Sequence, residues 1–198
     1  SVSAWCQLVH EFLLHITDRY GLDTIKTWKF GLWNQPNTSS DLFGFTNEND
    51  FFLFYKSTYD CIKDFCPDIE FSLPPTYYIV GESYENWYLN FLEWCKKNSC
   101  LPDCLSFTYY DTKMISDKNH SKGSFGFVYA MSLSESPDGL KDFVMQVLRE
   151  RRQLGLGNMP IYLSEWNNTP SQQDLLNDTC FKSCYIVKNI LENYDRLD

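Results

Sequence analysis

No apolar run in the chain approaches the roughly 18–20 residues that a membrane-spanning helix needs, which excludes a helical anchor within it. No charged start leads into an apolar stretch, so a signal peptide is not expected and a cytoplasmic location is. Positive charge is scarce. Net charge is −9, and the only basic cluster, Arg149, Arg151 and Arg152, falls on a helix end that reads as solvated. Such a balance is a poor match for a phosphate backbone, so direct nucleic-acid binding through this segment is excluded.

Several chemistries are missing as well. There is no G-x-S-x-G elbow for a serine hydrolase. Gly155-x-Gly157 precedes a strand instead of following one, so it cradles no phosphate. No C-x-x-C zinc spacing occurs. His10 and His15 stand five apart, which turns the second off the helix face of the first, where two metal ligands need a spacing of four. No metal and no cofactor are expected.

What is present suffices for a core. With 198 residues, 17% of them aromatic, the chain is long and apolar enough for one domain, taken here as residues 1–198. Helix and strand patterns alternate throughout. Helices are predicted over Val2 to Tyr20, Asn47 to Pro67, Tyr84 to Lys97, Pro137 to Leu154 and Leu175 to Asn193. Strands are predicted over Ile25 to Trp33, Ile69 to Leu73, Cys104 to Tyr109 and Met159 to Ser164. Pro74-Pro75 ends the second strand, residues 111–124 read as a polar loop and residues 126–132 as irregular. A helix followed by four strand–helix units predicts an α/β fold with a parallel sheet. Longer loops after the strands than before them place function at the strands' C-terminal ends.

The eight cysteines leave two readings open, a disulfide framework or core thiols in a reducing compartment. Cys180, Cys184, Val187 and Leu191 fall on one helical stripe and favour core thiols.

Two stretches stand out, Trp28 to Asn37 and Pro160 to Asn167. Each is a short apolar run that breaks into polar and aromatic side chains. Trp33-Asn34-Gln35-Pro36 reads as a turn on composition alone, and Glu165 as a rim residue. The indoles of Trp33 and Trp166 beside amides and a carboxylate point instead to a ligand with apolar faces and hydroxyl edges, such as a sugar. Tyr109, Tyr110 and Asp111 end a third strand, and Tyr77 and Tyr78 follow a fourth. Aromatics at all four strand ends are more than packing asks.

These motifs together resemble glycoside hydrolase family 39, the β-xylosidase and α-iduronidase group, over nearly the whole chain. Trp33-Asn34-Gln35-Pro36 is similar to the family's W-N-E-P, whose acid is the general acid/base. Pro160 to Asn167 resembles its P-x-x-x-T-E-W-N strand, which makes Glu165 the nucleophile position. Cys104 to Tyr110 resembles D-F-x-S-x-H-x-Y, with Thr108 at the histidine and Tyr110 at the tyrosine.

The resemblance implies a (β/α)8 TIM-barrel type, present as a partial barrel of about four strands and five helices. It implies a mono- or oligosaccharide partner, such as one containing xylose. Trp33, Asn34, Tyr110 and Trp166 would bind substrate, with Gln35 and Glu165 across the pocket. An amide in place of the acid implies a catalytically impaired, sugar-binding domain, of the kind fused to AraC-type transcription regulators. The alternative is a retaining β-xylosidase that uses Glu165 as nucleophile. Half a barrel would leave two open strand edges, for which a second copy of the chain, a homodimer, is the expected partner.

Overall fold

The computed structural model describes residues 1–37, 45, 47–78, 85–115, 130–133, 136–170 and 175–198. The helices follow the sequence signals. In α1 (Val2–Tyr20) the Ser1 hydroxyl accepts from the Ala4 N–H, and Gly21 closes the helix at φ 82°. In α3 (Glu48–Phe65) Asn47 Oδ1 accepts from the Asp50 N–H at 3.0 Å, and Glu48 and Asp50 load the first turn with negative charge. Pro67 follows its end. The helix α4 (Glu85–Lys97) finishes with Ser99 in the left-handed region and the Cys100 N–H on the Cys95 carbonyl.

Short parallel strands carry the other layer. They are β1 (Lys29–Phe30), β2 (Glu70–Phe71), β3 (Thr76–Tyr78), β4 (Leu105–Tyr110) and β7 (Ile161–Asn167). Pairing runs β1–β2 and β3–β4–β7, every pair parallel, and a Ser72–Cys104 bridge links the two groups. Strand order thus follows chain order, the α/β arrangement predicted.

The core lies between this layer and the helices. Tyr55 of α3 stacks on Phe71 at 5.1 Å and meets Phe91 of α4 edge-on at 4.8 Å. Phe143 of α5 (Gly139–Gln153) packs on Phe107 and Tyr109 of β4. Leu105, Phe107 and Tyr109 therefore face the helices, and Ser106, Thr108 and Tyr110 face the opposite side, which we call the inner face.

Several boundaries differ from expectation. The first predicted strand shrinks to Lys29–Phe30, because Leu22–Ile25 forms a short helix, α2, straight after Gly21. Pro74-Pro75 interrupts the next strand without ending it, since β3 resumes pairing at Thr76. Of residues 111–124 and 126–132, read as loop and irregular chain, β5 (Thr112–Ile115) pairs antiparallel with β6 (Ala130–Leu133), and residues 116–129 lie outside the described residues. No described helix is long and apolar enough to cross a membrane.

The largest correction concerns α6 (Cys180–Asn193). Its apolar stripe points outward, with Val187 56% and Leu191 67% exposed and Cys180 and Cys184 exposed beside them. The inward face is Tyr185, Asn189 and Asn193, whose amides bond back to the carbonyls four residues before. Cys66, Cys95, Cys100 and Cys104 are the buried thiols, and burial pushes Cys104 up to about 11. Brief treatment with a water-soluble alkylating reagent should therefore modify Cys180 and Cys184 and spare those four until the chain is unfolded. Peptide mass mapping checks this, and early modification of Cys95 or Cys104 would contradict the packing described.

Candidate active site

The inner face at the C-terminal strand ends holds the candidate site. β4 and β7 pair Phe107 with Leu163 and then Thr108 with Glu165, so Ser164 is an extra residue, a β-bulge. Ile161 and Leu163 pack on the helix side. Strict alternation would send Glu165 the same way. The bulge shifts the phase by one and brings Glu165 to the inner face opposite Thr108. The Ser164 hydroxyl, which donates to the Phe107 carbonyl at 3.1 Å, fixes it.

There the Tyr110 phenol donates to Glu165 Oε1. Burial, and then the Glu165 carboxylate, hold that phenol well above the ordinary tyrosine range, so it stays a donor at all physiological pH. Tyr77, in register with Thr108 on the other side, brings its ring to 5.7 Å from that of Tyr110.

The turn after β1 is tied to the same place. Trp33 and Gln35 both adopt left-handed backbone, at φ 65° and 50°, a conformation that costs non-glycine residues energy and gathers at functional sites. The Gln35 N–H bonds the Pro75 carbonyl at 2.8 Å. Asn37 substitutes for a strand neighbour: its Nδ2 donates to the Tyr77 carbonyl at 2.7 Å, and its Oδ1 accepts from the Tyr77 N–H at 3.0 Å. Gln35 is thereby fixed beside the strand that carries Tyr77.

Not every predicted residue joins this group. Trp166 takes the helix side, packed on Tyr185 of α6 with centroids 6.1 Å apart, because the bulge that turns Glu165 inward turns its neighbour outward. Trp33, 46% exposed, lines an apolar groove of about 350 Å³ with Trp5, Leu8 and Phe12 of α1. Asn34 is exposed on the turn. Asp111 is buried toward the first turn of α5, where it accepts from the Tyr109 hydroxyl and where a Cβ on Gly139 would lie 2.3 Å from its carboxylate. The structure brings Tyr110 and Glu165 together, then, and sends Trp166 and Asp111 elsewhere.

One element escaped the sequence reading. Lys182 of α6 donates to the side-chain oxygens of Asn167, Asn168 and Asn177, and the Tyr185 hydroxyl donates to the Asn167 carbonyl. This clamp fixes the chain just after Glu165. Its only trace in the sequence is three asparagines near one lysine. Among the described residues no three His, Cys, Asp or Glu side chains gather as metal ligands.

A parallel α/β layer with a carboxylate, a phenol and an amide-bearing turn at its C-terminal strand ends has the layout of a barrel-type hydrolase. The family model for glycosyl hydrolases family 39 matches residues 1–198, and the chain belongs to that family. It is 28% identical over 195 residues to a beta-xylosidase of Caldicellulosiruptor saccharolyticus, covering 98% of this chain and 36% of that protein. A beta-xylosidase of Geobacillus stearothermophilus is 27% identical over 194 residues, with the same coverage of each. Among solved structures, a monomeric beta-xylosidase from Caulobacter crescentus CB15 superposes with a TM-score of 0.82 at 24% identity, over 100% of this chain and 37% of that one. A GH39 enzyme from Xanthomonas axonopodis pv. citri also gives 0.82 at 24%, over 99% and 36%. The chain thus spans about a third of the length of these relatives.

Proposed function

We propose that the chain carries a sugar-binding site of glycosidase descent that holds a mono- or oligosaccharide, such as one containing xylose, without efficient turnover. The observation that carries this reading is Gln35, an amide at the position matching the family's acid/base. A carboxylic acid gives a proton to the leaving oxygen and later takes one from water. An amide does neither at any physiological pH. The Tyr110–Glu165 pair supports retention of the binding half of the site. Binding without turnover suits a sensing domain of a larger, AraC-type regulator, and the free thiols fit a cytoplasmic setting.

The second reading is a retaining β-xylosidase with Glu165 as nucleophile. It is favoured by the exposure of Glu165 and by the two beta-xylosidase relatives. Calorimetric titration with xylose and xylobiose, with product release followed in parallel, separates the two. We expect saturable binding and no release above background. Turnover at ordinary glycosidase rates, of order 1–10³ per second, favours the second reading. Absence of binding overturns both.

A further inference from the structure

We propose that Thr108 reads the ligand of this site: its hydroxyl takes one ring hydroxyl of the bound sugar and stands without a partner in the free protein. The inference rests on the carbohydrate reading above and names the residue that recognises part of that ligand.

Thr108 is 0% exposed, and its Oγ1 is buried with no hydrogen-bond partner among the described residues. Its backbone belongs to the ladder that joins β4 to β3 and β7. On the inner face its register neighbours are Tyr77 on one side and Glu165 on the other, and Tyr110 lies two residues further along the same face. Thr108 therefore shares the inner face with both partners of the Tyr110–Glu165 hydrogen bond.

Packing alone does not account for a threonine here. Valine has the same shape and carries no polar atom, so it fills the same space without stranding a buried donor and acceptor. A hydroxyl kept at such a cost is accounted for by a partner that arrives later. The chemistry of that partner is a hydroxyl, from a sugar or from an ordered water. The register neighbour of Thr108, Glu165, and its face neighbour, Tyr110, are residues that the carbohydrate reading gives to the sugar. We assign the partner to the sugar.

The test compares wild type, Thr108→Val and Thr108→Ser by thermal melting, and by titration with methyl β-D-xyloside and its 2-, 3- and 4-deoxy analogues. Free Thr108→Val should melt about 2–4 °C higher than wild type, because an unpaired buried hydroxyl is gone. Wild type should bind one deoxy analogue about 10-fold or more weaker than the parent. Thr108→Val should bind the parent about 10-fold weaker and treat that analogue and the parent alike. Thr108→Ser should keep the discrimination. If Thr108→Val melts below wild type, the hydroxyl already has a partner such as water, and the assignment is overturned. If Thr108→Val ranks the four ligands as wild type does, the assignment fails while the carbohydrate reading stands. Wild type that binds none of the four overturns both.

Discussion

Restoring the acid by Gln35→Glu, in the intact natural protein, should raise hydrolysis of an unactivated xyloside by about 10²-fold or more. The new side chain starts from a backbone already held in place, with the residue-35 N–H on the Pro75 carbonyl and the turn paired to Tyr77 through Asn37. A carboxyl there supplies what the amide lacks, a proton for the leaving oxygen and a base for the incoming water. The pH dependence should change form as well. With Gln35 there is no acid at position 35 to lose its proton, so the residual activity has no alkaline limb from that position. In the Gln35→Glu variant the new carboxyl must be protonated to act as the acid, and the profile gains an alkaline limb. Steady-state rates on a methyl or alkyl xyloside between pH 4 and 9 read both effects. An unchanged rate with an unchanged profile would show that residue 35 does not stand at an acid/base position.

Much of this site was legible in the sequence because its parts sit where strands end. Glu165 and Tyr110 lie within one residue of predicted strand ends, and the structure brings them into contact. Directions were less legible. The side a strand residue takes depends on phase, and phase depends on how many residues the partner strand spends over the same length. Ser164 is one residue too many opposite Phe107 and Thr108, a fact that exists only in the pairing of β4 with β7. It turned Trp166 toward the helices, away from the face that carries Glu165. The ends of α1 and α3 follow from Gly21, Asn47 and Pro67, since they depend on a few adjacent residues. The face that α6 turns inward was not. Its stripe of Cys180, Cys184, Val187 and Leu191 gives the period of a helix correctly, yet the buried side is that of Tyr185, Asn189 and Asn193, and Lys182 and Tyr185 tie the helix to Asn168 and to the Asn167 carbonyl. Periodicity identifies a face; it does not say which neighbour that face meets. The pair β5–β6 was hidden for a related reason, because its partners are contributed by two stretches that look polar or irregular when read separately.

A second large effect concerns what the unaltered chain does with an activated substrate. A 2,4-dinitrophenyl xyloside has a leaving group that departs as an anion, so the proton that Gln35 cannot give is not needed. If Glu165 stands at the nucleophile position, it forms an ester to the anomeric carbon as the bond to the dinitrophenolate breaks, and both electrons leave with the phenolate oxygen. The next step needs a base to activate water, and Gln35 is no base. The intact natural protein should therefore release about one equivalent of dinitrophenolate per site in a burst and then slow by about 10²-fold or more. The peptide containing Glu165 should gain the mass of one pentose unit. Azide, which needs no deprotonation to act as a nucleophile, should restore turnover and yield the glycosyl azide. Glu165→Gln should abolish the burst. Tyr110→Phe should slow it less, since the phenol positions the carboxylate and takes no part in bond making. A burst that survives Glu165→Gln would remove Glu165 from the nucleophile position. Absence of any burst in a protein that binds xylosides would mean that the site binds sugar without retaining the family's first chemical step.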